Sequence, residues 1–191
     1  MKKVQLNLQP LIGSTPVVLV GAMVEGKPNF MTVAWCGVAN SNPAMVSVAI
    51  RPTRYTLKGI QTKEFSVNVP SSKLVKEVDY CGIVSGAKED KVSFCGFKIF
   101  YGNLKNAPLI EQCPINLACS VEHILELGSH HLIIGRVEET HISEKCLTDG
   151  KPDIRKIKPF IFSMVSPTEY FTLGRSLGRG FSLGKELMET K

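Results

Sequence analysis

The chain has 191 residues, of which 43% are hydrophobic and 21% charged, with a formal net charge of +6. These proportions belong to an ordinary globular protein and exclude a disordered chain. The length suits one domain with a sizeable core, so residues 1–191 are read as a single domain, with no apolar run near the ~20 residues of a transmembrane helix.

The opening Met1–Gly13 has two lysines but no long apolar stretch, so no secretory signal is expected and the expected location is the cytoplasm, without a membrane partner. Pro10–Pro16 reads as a turn-rich lead-in to a strand over Val17–Val24, and Glu25-Gly26-Lys27-Pro28 reads as the hairpin turn that follows. Two strand-like runs come next, Phe30–Val38 and Ala44–Ile50, rich in Val, Ile and Met and separated by the turn residues Asn40-Ser41-Asn42-Pro43. Small residues lie inside these strands: Gly21, Ala22, Ala34, Gly37 and Ala39. Glycine in a strand marks a bulge, a tight barrel corner, or a place where something flat approaches the backbone.

Arg51-Pro52-Thr53-Arg54 then leads into a short helix over Tyr55–Ile60, with Thr53 or Thr56 near its N-cap, before a strand over Phe65–Val69. A helix start presents unpaired N–H groups, so two arginines and two hydroxyls beside it form a candidate phosphate seat. A solvated basic connection reads equally well from the same residues. Ser71-Ser72 caps a helix over Lys73–Asp79, whose Leu74, Val75 and Val78 share a face. Cys81–Val92 reads as a loop of small and polar groups. Phe94–Phe100, with its closely spaced aromatics, roofs a core or lines an entrance. Ile115–Leu127 and His130–Ile142 read as two long strands joined by Gly128-Ser129, and Gly135 within the second suits a curving wall. Lys158–Val165 reads as a last short strand. The tail 166–191 mixes glycine, arginine and aromatics and is expected to wrap a partner subunit or cover a cofactor through Tyr170 or Phe171.

Six cysteines are scattered through apolar segments without paired spacing, which fits reduced thiols in a reducing compartment and argues against a zinc site. The charge is uneven, with net +2 over residues 1–150 and net +4 over 151–191. That basic end suits an anionic cofactor nearby or a plain solvated surface.

Asn29-Phe30-Met31-Thr32-Val33-Ala34-Trp35, then Asn42-Pro43, Ser47-Val48-Ala49-Ile50-Arg51, Thr56 and Glu64–Asn68 resemble, in order and spacing, the flavin reductase-like family of FMN-binding split barrels, in its flavoredoxin and ferric reductase branch. The resemblance spans roughly residues 10 to 165. It implies a mainly β fold, a six-stranded antiparallel Greek-key split β-barrel with short flanking helices, bound FMN, and a homodimer with the flavin near the interface. In such a fold the flat object beside the small strand residues would be the isoalloxazine ring.

The resemblance also supplies site residues. Asn29, Met31, Thr32, Val33, Ala34, Ser47, Val48, Ala49, Ile50 and Arg51 correspond to flavin-binding segments, whose backbone N–H groups would bond the ring. In such a fold Ser85 and Lys91 would join, from the loop, the phosphate seat already read at Arg51, Arg54 and Thr56, and Tyr170 or Phe171 of the tail would cover the ring. Trp35 is a contact candidate only. Gly128-Ser129-His130 resembles a Gly-Asp-His turn whose histidine lies near the flavin or the nicotinamide. Here Ser129 replaces the acid and His131 follows, so His130 is the candidate catalytic residue by position, and a purely structural histidine is the competing reading.

No Ser/His/Asp or Cys/His set is arranged for nucleophilic attack, and no GxGxxG follows a strand, so the chemistry is assigned to a bound cofactor. The leading reading is an FMN-dependent oxidoreductase taking electrons from NAD(P)H or a redox protein and passing them to flavin, ferric iron or another acceptor. An FMN shuttle with no NAD(P)H site of its own is the alternative. A nucleic-acid-binding barrel using the basic aromatic tail is the remaining one, although no nucleic-acid partner is expected.

Overall fold

A computed structural model describes residues 1–188, so positions 189–191 of the expected tail lie outside the described residues. Strand β1 (Ser14–Pro16) leads into β2 (Val18–Val24), β3 (Lys27–Val33), β4 (Cys36–Ser41) and β5 (Ala44–Ile50). Helix α1 (Thr56–Ile60) and strand β6 (Glu64–Val69) follow, then a 3-10 turn at Ser72–Leu74 that runs into α2 (Val75–Ile83), and α3 (Lys91–Phe94). The short pair β7 (Ile99–Phe100) and β8 (Leu109–Ile110) precedes the long hairpin β9 (Ile115–Glu126) and β10 (His131–Ile142). Small elements close the order: β11 (Leu147–Thr148), β12 (Lys151–Pro152), α4 (Ile154–Ile157), β13 (Phe160–Ser163) and β14 (Tyr170–Thr172).

Seven strands hydrogen-bond in the order β3-β2-β6-β9-β10-β5-β4, each pair antiparallel. The two edges of this sheet are β3 and β4, yet only Ala34 and Trp35 lie between them in the chain. Val33 to Cys36 can span at most about 11 Å, so the edges have to meet and the sheet curls into a barrel. Among the described residues no ladder joins the edges β3 and β4, which makes the barrel split. The expected mainly β split barrel is therefore the observed fold. The expected single strand Phe30–Val38 is corrected to two, because the chain crosses from one edge to the other at Ala34-Trp35, and this raises the strand number to seven.

Strand β2 is buried on both faces, as its unbroken apolar sequence requires. Val18, Val20 and Ala22 point into the barrel with Met31, Val33, Val48, Ile50, Phe65 and Ile133. Val17, Leu19 and Phe30 contribute to a second core under α2, with Val78, Cys81, Phe97 and Phe160. The helix expected over Lys73–Asp79 continues to Ile83, which buries Cys81 beside Val78.

The strand glycines accept rings from the protein itself. A Cβ on Gly21 would stand 2.4 Å from the Phe30 ring, and one on Gly135 would stand 2.4 Å from Phe65. At Gly21 the flat neighbour is thus Phe30, its cross-strand partner, rather than a cofactor ring. Gly37 has nothing within 4 Å of that position.

Candidate functional site

Strand β5 ends at Ile50, and the chain turns through Arg51–Tyr55 into α1, where Arg54 N–H donates to Arg51 O at 3.0 Å. Tyr55 is the residue before the helix and makes no side-chain cap. Neither Thr53 nor Thr56, the two expected caps, takes that place; Thr56 is instead buried and its Oγ1 accepts from Asn29 Nδ2 at 2.7 Å, which ties α1 to β3. The N–H groups of Thr53, Tyr55 and Thr56 have no main-chain acceptor among the described residues. Opposite this turn stands the loop between α2 and α3. It approaches closely because Gly86 packs on Asn29, where a Cβ would stand 1.9 Å from Asn29 Oδ1.

Between the turn and the loop lies a cavity of about 220 Å3, lined in part by Met31, Arg51, Arg54, Thr56, Ser85 and Lys91. It gathers the two arginines, the threonine, the serine and the lysine expected to seat a phosphate. Lys91 is 3% exposed. Its ammonium donates to Cys81 O at 3.4 Å and Val84 O at 3.3 Å, two carbonyls at the end of α2, and it pairs with no carboxylate among the described residues. Arg54 Nη1 donates to Gly82 O at 2.9 Å. Burial lowers the Lys91 pKa, and the charge of Arg54 pushes the same way. An anion here would offset the desolvation of Lys91 and its repulsion with Arg54.

From the cavity the wall continues through Arg51 to His130, since β10 begins opposite the end of β5 with His131 across from Ile50. The His130 ring stacks on Trp35 with centroids 4.4 Å apart and planes at 29°. Its Nδ1 lies 3.0 Å from Ser129 Oγ. Burial and then the neighbouring Arg51 charge lower the His130 pKa, which favours the neutral ring. Beyond Trp35 opens an apolar groove of about 320 Å3 that includes Cys36, Gly37, Ser47, Ala49 and Leu132. Burial raises the Cys36 thiol to about 11, so it stays protonated.

The candidate residues therefore divide by what their positions permit. Val33, Val48 and Ile50 send their side chains into the barrel core, so only their backbone could meet a ligand. Strand β5 is hydrogen-bonded on both sides, to β10 and β4, and Ala49 N–H already donates to Trp35 O at 2.8 Å. Strand β3 pairs on one side only, so alternate N–H groups along Asn29–Val33 face the split. Thr32 is held by its hydroxyl, which donates to Val78 O. Phe171 does not reach the cavity. It pairs with Ile161 in the separate β1-β13-β14 sheet and is 47% exposed. Thr53, one of the two hydroxyls read beside the arginines, lines the cavity, whereas sequence reasoning missed Tyr55, although it belongs to the same segment. It also missed the Trp35–His130 stack, for which no local sequence signal exists.

A family model described as "Flavin reductase like domain" matches residues 13–157. The flavoredoxin of Methanosarcina acetivorans superposes with a TM-score of 0.93 at 40% identity, over 98% of this chain and 100% of that one. The flavoredoxin of Desulfovibrio vulgaris (Miyazaki F) superposes with a TM-score of 0.89 at 35% identity, over 96% of this chain and 100% of that one. An uncharacterised protein of Archaeoglobus fulgidus is 34% identical over 156 residues, which cover 81% of this chain and 86% of that protein.

Proposed function

The chain belongs to the flavin reductase-like family, and from that membership we propose that it is an FMN-dependent oxidoreductase, passing electrons from NAD(P)H or a redox protein to flavin, ferric iron or another acceptor. Family membership supports a flavin, and one observation of this chain supports FMN: the buried, carboxylate-free Lys91 beside Arg54 in a cavity that Arg51, Thr56 and Ser85 also line. Arg51, Arg54 and Lys91 would hold the phosphate dianion, with Thr56 and Ser85 supplying hydroxyls. The N–H groups of Met31–Ala34 along the split would meet the polar edge of the ring. Bound FMN supplies hydride and single-electron chemistry. Trp35 and His130 would shield that region from water. His130, neutral near pH 7, would not add a positive charge beside Arg51.

The same feature favours a second reading, an FMN shuttle without a nicotinamide site, because Ser129 offers His130 a hydroxyl rather than a carboxylate to hold it charged. The further parts of the proposal are a homodimer, a cytoplasmic location supported by six free cysteines, and no nucleic-acid partner. No helix among the described residues is long and apolar enough to cross a membrane.

Purified protein is expected to carry flavin absorption that bleaches under anaerobic NADPH or NADH if it is a reductase. Bleaching only by a reduced redox protein would select the shuttle. Protein that neither retains nor binds FMN would overturn both.

A further inference from the structure

A second cavity, of about 680 Å3, lies where the tail crosses α4. Its construction follows from register: Thr172 pairs with Phe160, so the residues after Thr172 run beside Lys158 and Pro159 at the end of α4. Ser72 N–H donates to Lys158 O at 2.9 Å and joins the start of the 72–74 turn to the same wall.

The chemistry of this wall is one-sided. Arg155, Lys158 and Arg175 line it, and no carboxylate does. None of the three forms an ion pair among the described residues. The nearest carboxylate in sequence, Asp153, feels the Arg155 charge without forming an ion pair, because one oxygen accepts from Arg155 N–H at 2.9 Å to cap α4 and the other from Thr148 Oγ1 at 2.8 Å. Three like charges around one hollow repel one another, and a polyvalent anion between them reverses that sign. The cavity is also apolar in part. Ile154 and Leu173 are 55% and 50% exposed and both line it, together with Pro159. A ligand that satisfies both halves has a multiply charged head and a flat or apolar body. The volume falls in the range of small-molecule sites, roughly 300–1,000 Å3.

This cavity is not part of the phosphate seat. It touches the turn that feeds the first residue of α2, whereas the seat is lined by Val84 and Ser85 just past the last. The helix between them is about 13 Å long.

We infer that the cavity between α4 and the tail is a second ligand site for a nucleoside diphosphate, with the diphosphate among Arg155, Lys158 and Arg175 and the nucleoside against Ile154, Pro159 and Leu173. Calorimetric titration of the flavin-loaded full chain with ADP, inorganic pyrophosphate and adenosine tests it. ADP is expected to bind, with pyrophosphate and adenosine each at least about tenfold weaker, and ADP binding should weaken as salt rises. In the Arg155→Ala/Arg175→Ala variant, ADP should bind at least about tenfold more weakly, about 1.4 kcal/mol, while flavin content stays unchanged. Leu173→Ser should weaken ADP more than pyrophosphate. No ADP binding, equal binding of ADP and pyrophosphate, or unchanged ADP affinity in the double variant would each overturn the site. So would loss of ADP binding in Arg54→Ala with retention in the double variant, which would place the nucleotide in the flavin seat instead.

Discussion

Lys91 carries two roles that a substitution can separate. Its ammonium caps carbonyls at the end of α2, and it lines the cavity with Arg51 and Arg54. A buried cation without a carboxylate is a cost to the empty protein, so Lys91→Met should leave the stability of the flavin-free protein level or slightly higher. Flavin affinity should fall at least about tenfold, because a charge-assisted contact worth about 1.5–3 kcal/mol is lost. Differential scanning of the flavin-free form and fluorescence titration with FMN read the two effects independently. A fall in melting temperature with unchanged FMN affinity would reduce Lys91 to a helix cap. His130 gives a pH test at the same scale. Its folded pKa lies below the ordinary 6.5, burial first and Arg51 second. The unfolded chain therefore takes up the proton first as pH falls through about 6.5, so this group subtracts stability below that pH and nothing above it. NMR titration should place the His130 midpoint below 6.5, and Arg51→Ala should move it upward; an unmoved midpoint would show that burial alone sets it.

At the scale of elements, the seat depends on α1 lying close to β2. A Cβ at Gly59 would stand 2.4 Å from Met23 O and 2.8 Å from Ala22 Cβ, so the helix has no room to accept one. Gly59→Ala should destabilise by about 1–3 kcal/mol, a melting-temperature drop of several degrees, and should weaken FMN binding because Arg54 and Thr56 ride on the same turn. Intact FMN affinity in a destabilised variant would mean that the seat does not depend on how α1 docks. This packing also explains what the sequence disclosed. Arg51, Arg54 and Thr56 are near neighbours at a strand-to-helix junction, so their gathering around one cavity was legible from local chemistry. Ser85 and Lys91 reach it only because α2 packs under β3 and Gly86 meets Asn29, and they were reached through family resemblance alone. The break at Ala34-Trp35 was hidden because both flanking segments favour strand, and no periodicity records a change of sheet edge. Strand β14 was hidden for the opposite reason: three residues in a glycine- and arginine-rich tail carry too little pattern, and only pairing with β13 makes them a strand.

At the scale of the whole molecule, the C-terminal tail presents a surface unaccounted for by a single copy. After β14 the tail exposes Leu177, Phe181 and Leu187 at 86%, 105% and 76%, although burying a large apolar side chain stabilises by about 1.5–3 kcal/mol. Several such residues in succession, on a segment with little core of its own, are expected to lie against a second copy. Phe171, remote from the seat within its own chain, begins this same segment and would reach a flavin only across that interface. Light scattering on the full chain is expected to give the mass of a dimer. Removal of residues 173–191 should weaken dimerisation at least about tenfold while circular dichroism still reports the barrel, since β14 and the strands before it are retained. Phe171→Ala in the full chain separates the two uses of the tail: unchanged dimer mass with faster FMN release places the ring over the partner's flavin, whereas unchanged FMN release confines Phe171 to the interface. A full-length monomer at micromolar concentration would remove the second copy, and with it the route by which Phe171 could touch flavin at all.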